Sequence, residues 1–88
     1  MSIRANRIKQ KLVAGENVYV VCGPNDADWI DEVGPSELDG IWLEGEHGPV
    51  DFGNLGNLTR ACDLWDMTSI VRVNRNDQTL IYRTLDRG

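Results

Sequence analysis

Short apolar runs alternate with segments of helical periodicity along most of this chain of 88 residues. The runs at 17–22, 40–43 and 69–73 contain β-branched and aromatic residues and predict three strands. Elsewhere apolar residues recur every three or four positions, which predicts helices. The four helices are predicted over 2–14, behind a cap at Asn25 or Asp26, behind a cap at Asp51, and behind a cap at Asn76–Asp77 with its end at Gly88.

The predicted order is one helix followed by three strand–helix units. Strands separated by helices favour an α/β fold with a parallel sheet and right-handed crossovers. Strands that are apolar on both sides predict a sheet with both faces covered. Three units alone leave two unpaired sheet edges. We therefore expect residues 1–88 to form the truncated N-terminal segment of a single (βα)8 TIM-barrel domain of about 250 residues.

The first predicted helix has an apolar side and a basic side. Ile3, Ile8, Leu12 and Val13 share the side that is expected to pack on the sheet. The basic residues are expected to form the solvated polar face, and they are Arg4, Arg7, Lys9 and Lys11.

The overall charge excludes one large class of partners. The chain carries 14 acidic and 9 basic residues, a net charge of −5, which argues against a nucleic-acid groove. The sequence has no signal-peptide pattern and no apolar run near the roughly 20 residues of a membrane span, so we expect a cytoplasmic protein without a membrane partner. Cys22 and Cys62 lie in apolar runs, which predicts buried, reduced thiols.

The most informative segment is Glu44-Gly-Glu-His-Gly-Pro49, directly after the second predicted strand. A buried strand explains the apolar residues before it, but not two carboxylates and the only histidine at its end. Ligands and catalytic groups collect at the carboxyl ends of parallel strands, and the imidazole of His47 can carry a proton near neutral pH. The segment therefore predicts half of an active site. The alternative for His47 is an ordinary surface or structural histidine.

Arg72 interrupts the apolar third strand. A guanidinium inside a buried strand needs an anion nearby. One interpretation is a salt bridge to Glu44 or Glu46, and the other is contact with a substrate carboxylate or enolate oxygen. The two are compatible. Glu44 and Glu46 flank Gly45, so both point to one face of an extended backbone. Paired carboxylates suit a divalent cation, directly or through its waters, but two cannot complete an octahedral site.

Other conspicuous residues have simpler explanations. Asp77 is most simply a helix cap, and Asp86 a surface acid at a helix end. The three tryptophans, Trp29, Trp42 and Trp65, are expected in the core rather than in a ligand site.

Four segments together carry a family resemblance: Asn6–Gly15, Glu44–Pro49, Val71–Asp77 and Thr84–Gly88. In this order and spacing they resemble the N-terminal third of the HpcH/HpaI family of metal-dependent (class II) pyruvate aldolases. The resemblance covers almost the whole chain. It implies a carbon–carbon lyase on a (βα)8 barrel that reversibly cleaves 4-hydroxy-2-oxo acids, of the 2-keto-3-deoxy-sugar-acid type, to pyruvate and an aldehyde through a metal-stabilised enolate.

The resemblance also implies roles for particular residues. His47 would transfer a proton at the aldol hydroxyl, Arg72 would bind substrate and stabilise enolate charge, and Asp86 would pair with the histidine. A divalent metal (Mg2+, Mn2+ or Co2+) is implied, with Glu44 and Glu46 bordering it only through water. Its direct ligands are expected beyond residue 88, so the chain of 88 residues alone is expected to be inactive.

The predicted helix direction affects the role of Asp86. The last turn of the fourth helix should lie about 13 Å from the catalytic rim at 1.5 Å per residue. We therefore expect a neighbouring subunit of a homo-oligomer to supply this aspartate. The main alternative is a non-catalytic α/β domain that binds a small carboxylate or self-associates. A citrate-lyase-like enzyme acting on an acyl-CoA is a third possibility, which the lack of a basic surface for the CoA phosphates disfavours.

Overall fold

Helices and strands alternate along residues 4–88, the part of the chain that this computed structural model describes. The elements are α1 (Arg7–Val13), β1 (Val20–Cys22), α2 (Ala27–Val33), a 3-10 turn (Gly34–Ser36), β2 (Gly40–Glu44), α3 (Phe52–Leu64), β3 (Thr68–Arg72) and α4 (Gln78–Leu85). This order confirms the predicted α/β class with one helix and three βα units. The first strand is shorter than predicted, and α4 ends before Gly88.

Polar side chains fix where the helices begin. Asp26, not Asn25, caps α2 by accepting the N–H of Trp29 at 2.8 Å. The predicted caps at Asp51 and Asp77 are confirmed for α3 and α4. Asn6 caps α1, so this helix begins at Arg7, and residues 4–6 of the predicted helix are not helical. Each such cap stabilises its helix by about 1 kcal/mol. Residues 2 and 3 of the predicted first helix lie outside the described residues.

The three strands form one parallel sheet in the order β1-β2-β3, as predicted. The register pairs Cys22 with Trp42, and Glu44 with Arg72. All strands therefore end at the same edge of the sheet, here called the carboxyl rim, and begin at the opposite edge, the amino rim. Among residues 4–88, no helix is both long enough and apolar enough to cross a membrane.

One face of the sheet carries the core. Because side chains alternate along a strand, Ile41 and Leu43 both point to this face, and both are fully buried. They pack with residues of α2 and α3, so the two helices cover the face. The buried apolar residues are Ile30, Ile41, Leu43, Val50, Leu55, Leu58, Ala61, Cys62 and Met67.

The other face of the sheet, here called the inner face, is less covered than the sequence predicts. Val20 is 38% exposed, and Cys22 is exposed rather than buried. Cys62 is buried as predicted, and its burial raises the pKa of its thiol to about 11. In a closed barrel the interior is filled by side chains from all its strands. Residues 4–88 supply only three strands, so both-sided coverage was a wrong expectation for this part of the chain.

The tryptophans lie on opposite sides of the sheet. Trp29 and Trp65 are partly buried and pack against the core, as predicted. Trp42 lies between Ile41 and Leu43 and therefore points to the inner face. It is half-buried and outside the core cluster, so its assignment to the core was wrong.

A buried carboxylate attaches α1 to the amino rim. Asp39 is fully buried and accepts hydrogen bonds from Arg7 Nε at 2.9 Å, Lys11 Nζ at 3.0 Å and the Tyr19 N–H at 2.8 Å. Burial by itself would raise the pKa of Asp39, but the hydrogen bonds from Lys11, Tyr19 and Arg7 lower it below its usual range. Asp39 is therefore an ionised group with partners from α1 and from the residue just before β1.

This ion cluster turns α1 away from its predicted orientation. Arg7 and Lys11, one turn apart on the same helix face, point towards the sheet rather than into solvent. Leu12 and Val13, predicted to pack, are 57% and 83% exposed. The periodicity correctly predicted a helix, but the buried carboxylate at Asp39 decides which side faces inward.

Candidate functional site

The Glu44 carboxylate organises the loop that follows β2. Its Oε1 accepts the backbone N–H groups of Glu46 at 2.7 Å and His47 at 3.2 Å. The loop folds back so closely that a β-carbon at Gly48 would lie 2.8 Å from side-chain carbons of Glu44, which explains the glycine. Glu46 therefore lies in a bend, so the extended backbone that would place Glu44 and Glu46 on one face does not continue to Glu46.

Arg72 ends β3 and meets both acids of this loop. Its Nε donates to Glu44 Oε1 at 2.9 Å, its Nη2 contacts Glu44 Oε2, and its Nε lies 3.2 Å from Glu46 Oε2. Its Cζ lies 5.9 Å from the centre of the Trp42 ring. The side chain is 41% exposed, so the expectation of a guanidinium buried within the strand was wrong. The predicted salt bridge is present, and no residue among 4–88 bonds Nη1.

These contacts keep Glu44 ionised. The hydrogen bond from Arg72 is the main cause that lowers the pKa of Glu44 to about 2, with further lowering by the N–H groups of Glu46 and His47. A carboxyl whose folded pKa is depressed stabilises the fold fully above its usual pKa, and loses that contribution as the pH falls towards the folded value. The Glu44–Arg72 pair therefore persists throughout the neutral range.

The structure brings His47 and Arg72 to the same carboxylate. The His47 imidazole is 74% exposed, and its Nε2 lies 3.8 Å from Glu46 Oε1, while the other oxygen of Glu46 contacts Arg72. An accessible imidazole and a guanidinium with one unoccupied nitrogen thus share the carboxyl rim. This arrangement can transfer a proton and hold an oxyanion on one small ligand.

Asp86 lies away from this group within one chain. It is the C-terminal cap of α4, and the next residue, Arg87, accepts a hydrogen bond from the Thr59 hydroxyl at 2.7 Å. The eight residues of α4 span about 12 Å, and they lead from the carboxyl rim towards the amino rim. The structure therefore does not join Asp86 to His47 in a single subunit.

The residues present do not by themselves fit a divalent metal. No three histidine, cysteine, aspartate or glutamate side chains converge as ligands within residues 4–88. Both oxygens of Glu44 already accept hydrogen bonds, and Glu46 faces Arg72. The expected outer-sphere role of Glu44 and Glu46 stays a prediction.

Sequence reasoning missed the role of Asn25, which it considered only as a turn residue or cap. Asn25 is 8% exposed. Its Nδ2 donates to the Trp42 carbonyl at 3.1 Å, and its Oδ1 accepts the Glu44 N–H at 2.8 Å. The available signal was the turn chemistry of Gly23-Pro24, which ends β1 just before a residue whose side chain can replace a backbone amide.

Comparisons with known proteins identify relatives with the same fold. The chain is 32% identical to a pyruvate aldolase from Rhizobium etli over 89 aligned positions, which span this whole chain and 35% of that protein. The fold matches citrate synthase SbnG with a TM-score of 0.85 and 27% identity, over 96% of this chain and 35% of that one. It also matches an HpcH/HpaI aldolase from Desulfitobacterium hafniense with a TM-score of 0.84 and 24% identity, over 96% and 33%. The chain matches the N-terminal third of HpcH/HpaI-type aldolases. No protein-family model matches the sequence.

The match to HpcH/HpaI-type aldolases confirms two expectations from the sequence. These are the family resemblance and the assignment of the three βα units to part of a TIM barrel. The chain spans about a third of the length of the relatives it matches. The roles of His47, Arg72 and Asp86 stay predictions.

Proposed function

We propose that this chain forms the N-terminal segment of a single barrel domain that reversibly cleaves 4-hydroxy-2-oxo acids to pyruvate and an aldehyde. The observation that carries the proposal is the Glu46 carboxylate, 3.8 Å from the His47 imidazole and 3.2 Å from the Arg72 guanidinium. It keeps a proton-transferring group and an anion-binding group on one rim. Sequence identity of 32% to a pyruvate aldolase supports the same reaction class.

The proposed roles follow from the chemistry of each side chain. His47 accepts the proton of the C4 hydroxyl, the C3–C4 bond breaks, and the electron pair moves into the oxo acid as an enolate. Arg72 binds the substrate carboxylate or the developing enolate oxygen, for which its Nη1 is free of partners among residues 4–88. Protonation of the enolate at C3 then gives pyruvate. Class II dependence on Mg2+, Mn2+ or Co2+ belongs to the proposal, with the direct ligands outside this segment.

Pyruvate release tests the proposed function. A full-length protein containing this chain should release pyruvate from a 2-keto-3-deoxy sugar acid in the presence of Mn2+, because it then has the ligands that residues 4–88 lack. The chain of 88 residues alone should release none under the same conditions. Pyruvate release by the short chain would contradict the proposed location of the ligands.

The same assay separates the alternatives. A full-length protein that binds pyruvate but never turns over a hydroxy-oxo acid would support the carboxylate-binding domain. Consumption of an acyl-CoA would instead support the third possibility, an enzyme that acts on an acyl-CoA. The match to citrate synthase SbnG favours a reaction of this type as the second enzymatic candidate. Both enzymatic candidates form an enolate that Arg72 can stabilise.

We also propose that Asp86 of a neighbouring subunit completes the site, because α4 carries this residue away from His47 in its own chain. In the full-length protein, His47→Ala and Asp86→Ala should each lower activity by about 10²–10⁴, the usual contribution of general acid–base groups. Mixing the two variants under conditions that exchange subunits should restore part of the activity.

A matched mixture serves as the control for that experiment. His47→Ala mixed with Arg72→Ala should show no recovery, because both residues come from the same rim of one chain. Equal behaviour of the two mixtures would contradict a shared site.

A further inference from the structure

Asn25 stands between the end of β1 and the end of β2, almost wholly buried. Both polar ends of its amide are used, one on the Trp42 carbonyl and one on the Glu44 N–H. Neither contact belongs to a helix cap, since Asp26 caps α2. The side chain is therefore committed to the backbone of β2.

The two contacts reproduce a missing position of the parallel ladder. In a parallel pair, a residue donates to the carbonyl before its partner and accepts from the N–H after it. Trp42 and Glu44 are the residues before and after Leu43, so the Asn25 amide takes the place of a backbone residue opposite Leu43. The main-chain ladder of β1 stops at Cys22, opposite Trp42, so Gly23 is the backbone residue that Asn25 replaces opposite Leu43.

This substitution keeps β2 paired on both sides up to its last residue. On the β3 side, the Gly45 N–H donates to the Arg72 carbonyl at 2.8 Å. On the β1 side, Asn25 Oδ1 accepts the Glu44 N–H at 2.8 Å. Glu44 is thus held through its own N–H on the β1 side and through the next N–H, that of Gly45, on the β3 side. Its carboxylate in turn holds the Arg72 guanidinium.

We propose that Asn25 is a positioning residue of the candidate site: by completing the β1–β2 ladder with its side chain, it fixes Glu44 and, through Glu44, the direction of the Arg72 guanidinium. The importance of this for catalysis rests on the proposed function, in which Arg72 binds the substrate. The effect on Arg72 itself can be measured without any activity.

Nuclear magnetic resonance on the chain of 88 residues provides the test. Asn25→Ala should make the Glu44 amide exchange with solvent roughly tenfold faster, because a hydrogen bond of ordinary strength is lost. The Arg72 Nε–H should lose its protection in parallel, while the Leu58 amide in the middle of α3 keeps its own. Asn57→Ala, an exposed asparagine on α3, is the matched control and should change neither signal.

A conservative variant separates positioning from general stability. At about pH 4, where burial keeps the introduced carboxyl protonated, Asn25→Asp can still donate to the Trp42 carbonyl and accept the Glu44 N–H, so it should preserve the protection of Glu44 and Arg72 even if Asn25→Ala unfolds. An unchanged Arg72 Nε–H in folded Asn25→Ala would overturn the proposal. Loss of the protection of the Leu58 amide in both variants would also overturn it, because Asn25 would then support the whole fold and not the site.

Kinetics on the full-length protein adds a separate readout. Asn25→Ala should raise KM for the 2-oxo acid about tenfold with a smaller effect on kcat, since a misdirected Arg72 loses ground-state binding. Wild-type protein without aldolase activity would refute the proposed function. The resonance experiment would still decide the role of Asn25.

Discussion

Replacing Arg72 with lysine in a full-length protein should lower kcat/KM for aldol cleavage by about 10²–10³, the usual cost of losing one donor to a developing oxyanion. Lysine keeps the charge but not the planar fork of donors. Arg72 uses that fork to contact Glu44 with Nε and Nη2 while Nη1 stays available. The ammonium group of a lysine cannot both hold Glu44 with two donors and offer a third, correctly directed donor to the substrate. Steady-state kinetics with a 4-hydroxy-2-oxo acid measures the loss.

Arg75→Lys is the matched control for this prediction. Arg75 follows β3 closely and is 75% exposed, and among residues 4–88 Asp77 alone is within salt-bridge range, at 3.9 Å. Its replacement should leave kcat/KM unchanged, because it holds no group of the candidate site. Wild-type kinetics in Arg72→Lys would show that charge alone is needed there, and would refute the oxyanion role.

Replacing Arg7 and Lys11 together with methionine should lower the free energy of unfolding by about 3–5 kcal/mol, the usual cost of leaving a buried charge unpaired. Asp39 is fully buried and depends on these two cations and the Tyr19 N–H. Small domains have only about 5–15 kcal/mol of stability in total. Urea denaturation at neutral pH should therefore detect a large shift of the midpoint.

In the double variant, the contribution of Asp39 to the pH dependence of stability should also change sign. In the wild type its folded pKa is lowered, so its contribution is present above its usual pKa and is lost as the pH falls through the folded value. Without the cations, burial raises the folded pKa above the unfolded one. The double variant should therefore lose stability as the pH rises from the unfolded pKa of Asp39 through its folded pKa.

A neighbouring lysine controls for the loss of charge. Lys9 lies on the same helix, is exposed, and has no contact with Asp39 among the ion pairs of residues 4–88. Lys9→Met should have the same midpoint of urea denaturation as the wild type at every pH. If the double variant behaves in the same way, the buried ion cluster does not stabilise the fold.

Local sequence signals predicted the order of elements well. The caps at Asp26, Asp51 and Asp77 and the parallel sheet follow from turn chemistry and periodicity, which act over a few residues. The orientation of α1 does not, because it depends on Asp39, 28 positions beyond Lys11. The exposure of Cys22 likewise depends on how much of a barrel surrounds it, and an apolar run cannot reveal that.

The candidate site was predictable where it depends on strand direction. Parallel strands bring their carboxyl ends together, so the sequence predicted that His47 and Arg72 share a rim. The shared contact through Glu46 was not predictable, because it requires the turn that Glu44 imposes on the loop. Asn25 was missed because its partners depend on where the β1 ladder stops, and one residue of shift would change them.

The two groups of charged residues occupy opposite ends of the same three strands. Asp39 and its cations anchor the chain at one end, whereas Glu44, Glu46 and Arg72 meet at the other. Substitutions in the candidate site can therefore be introduced without touching the buried ion cluster that holds α1 to the sheet.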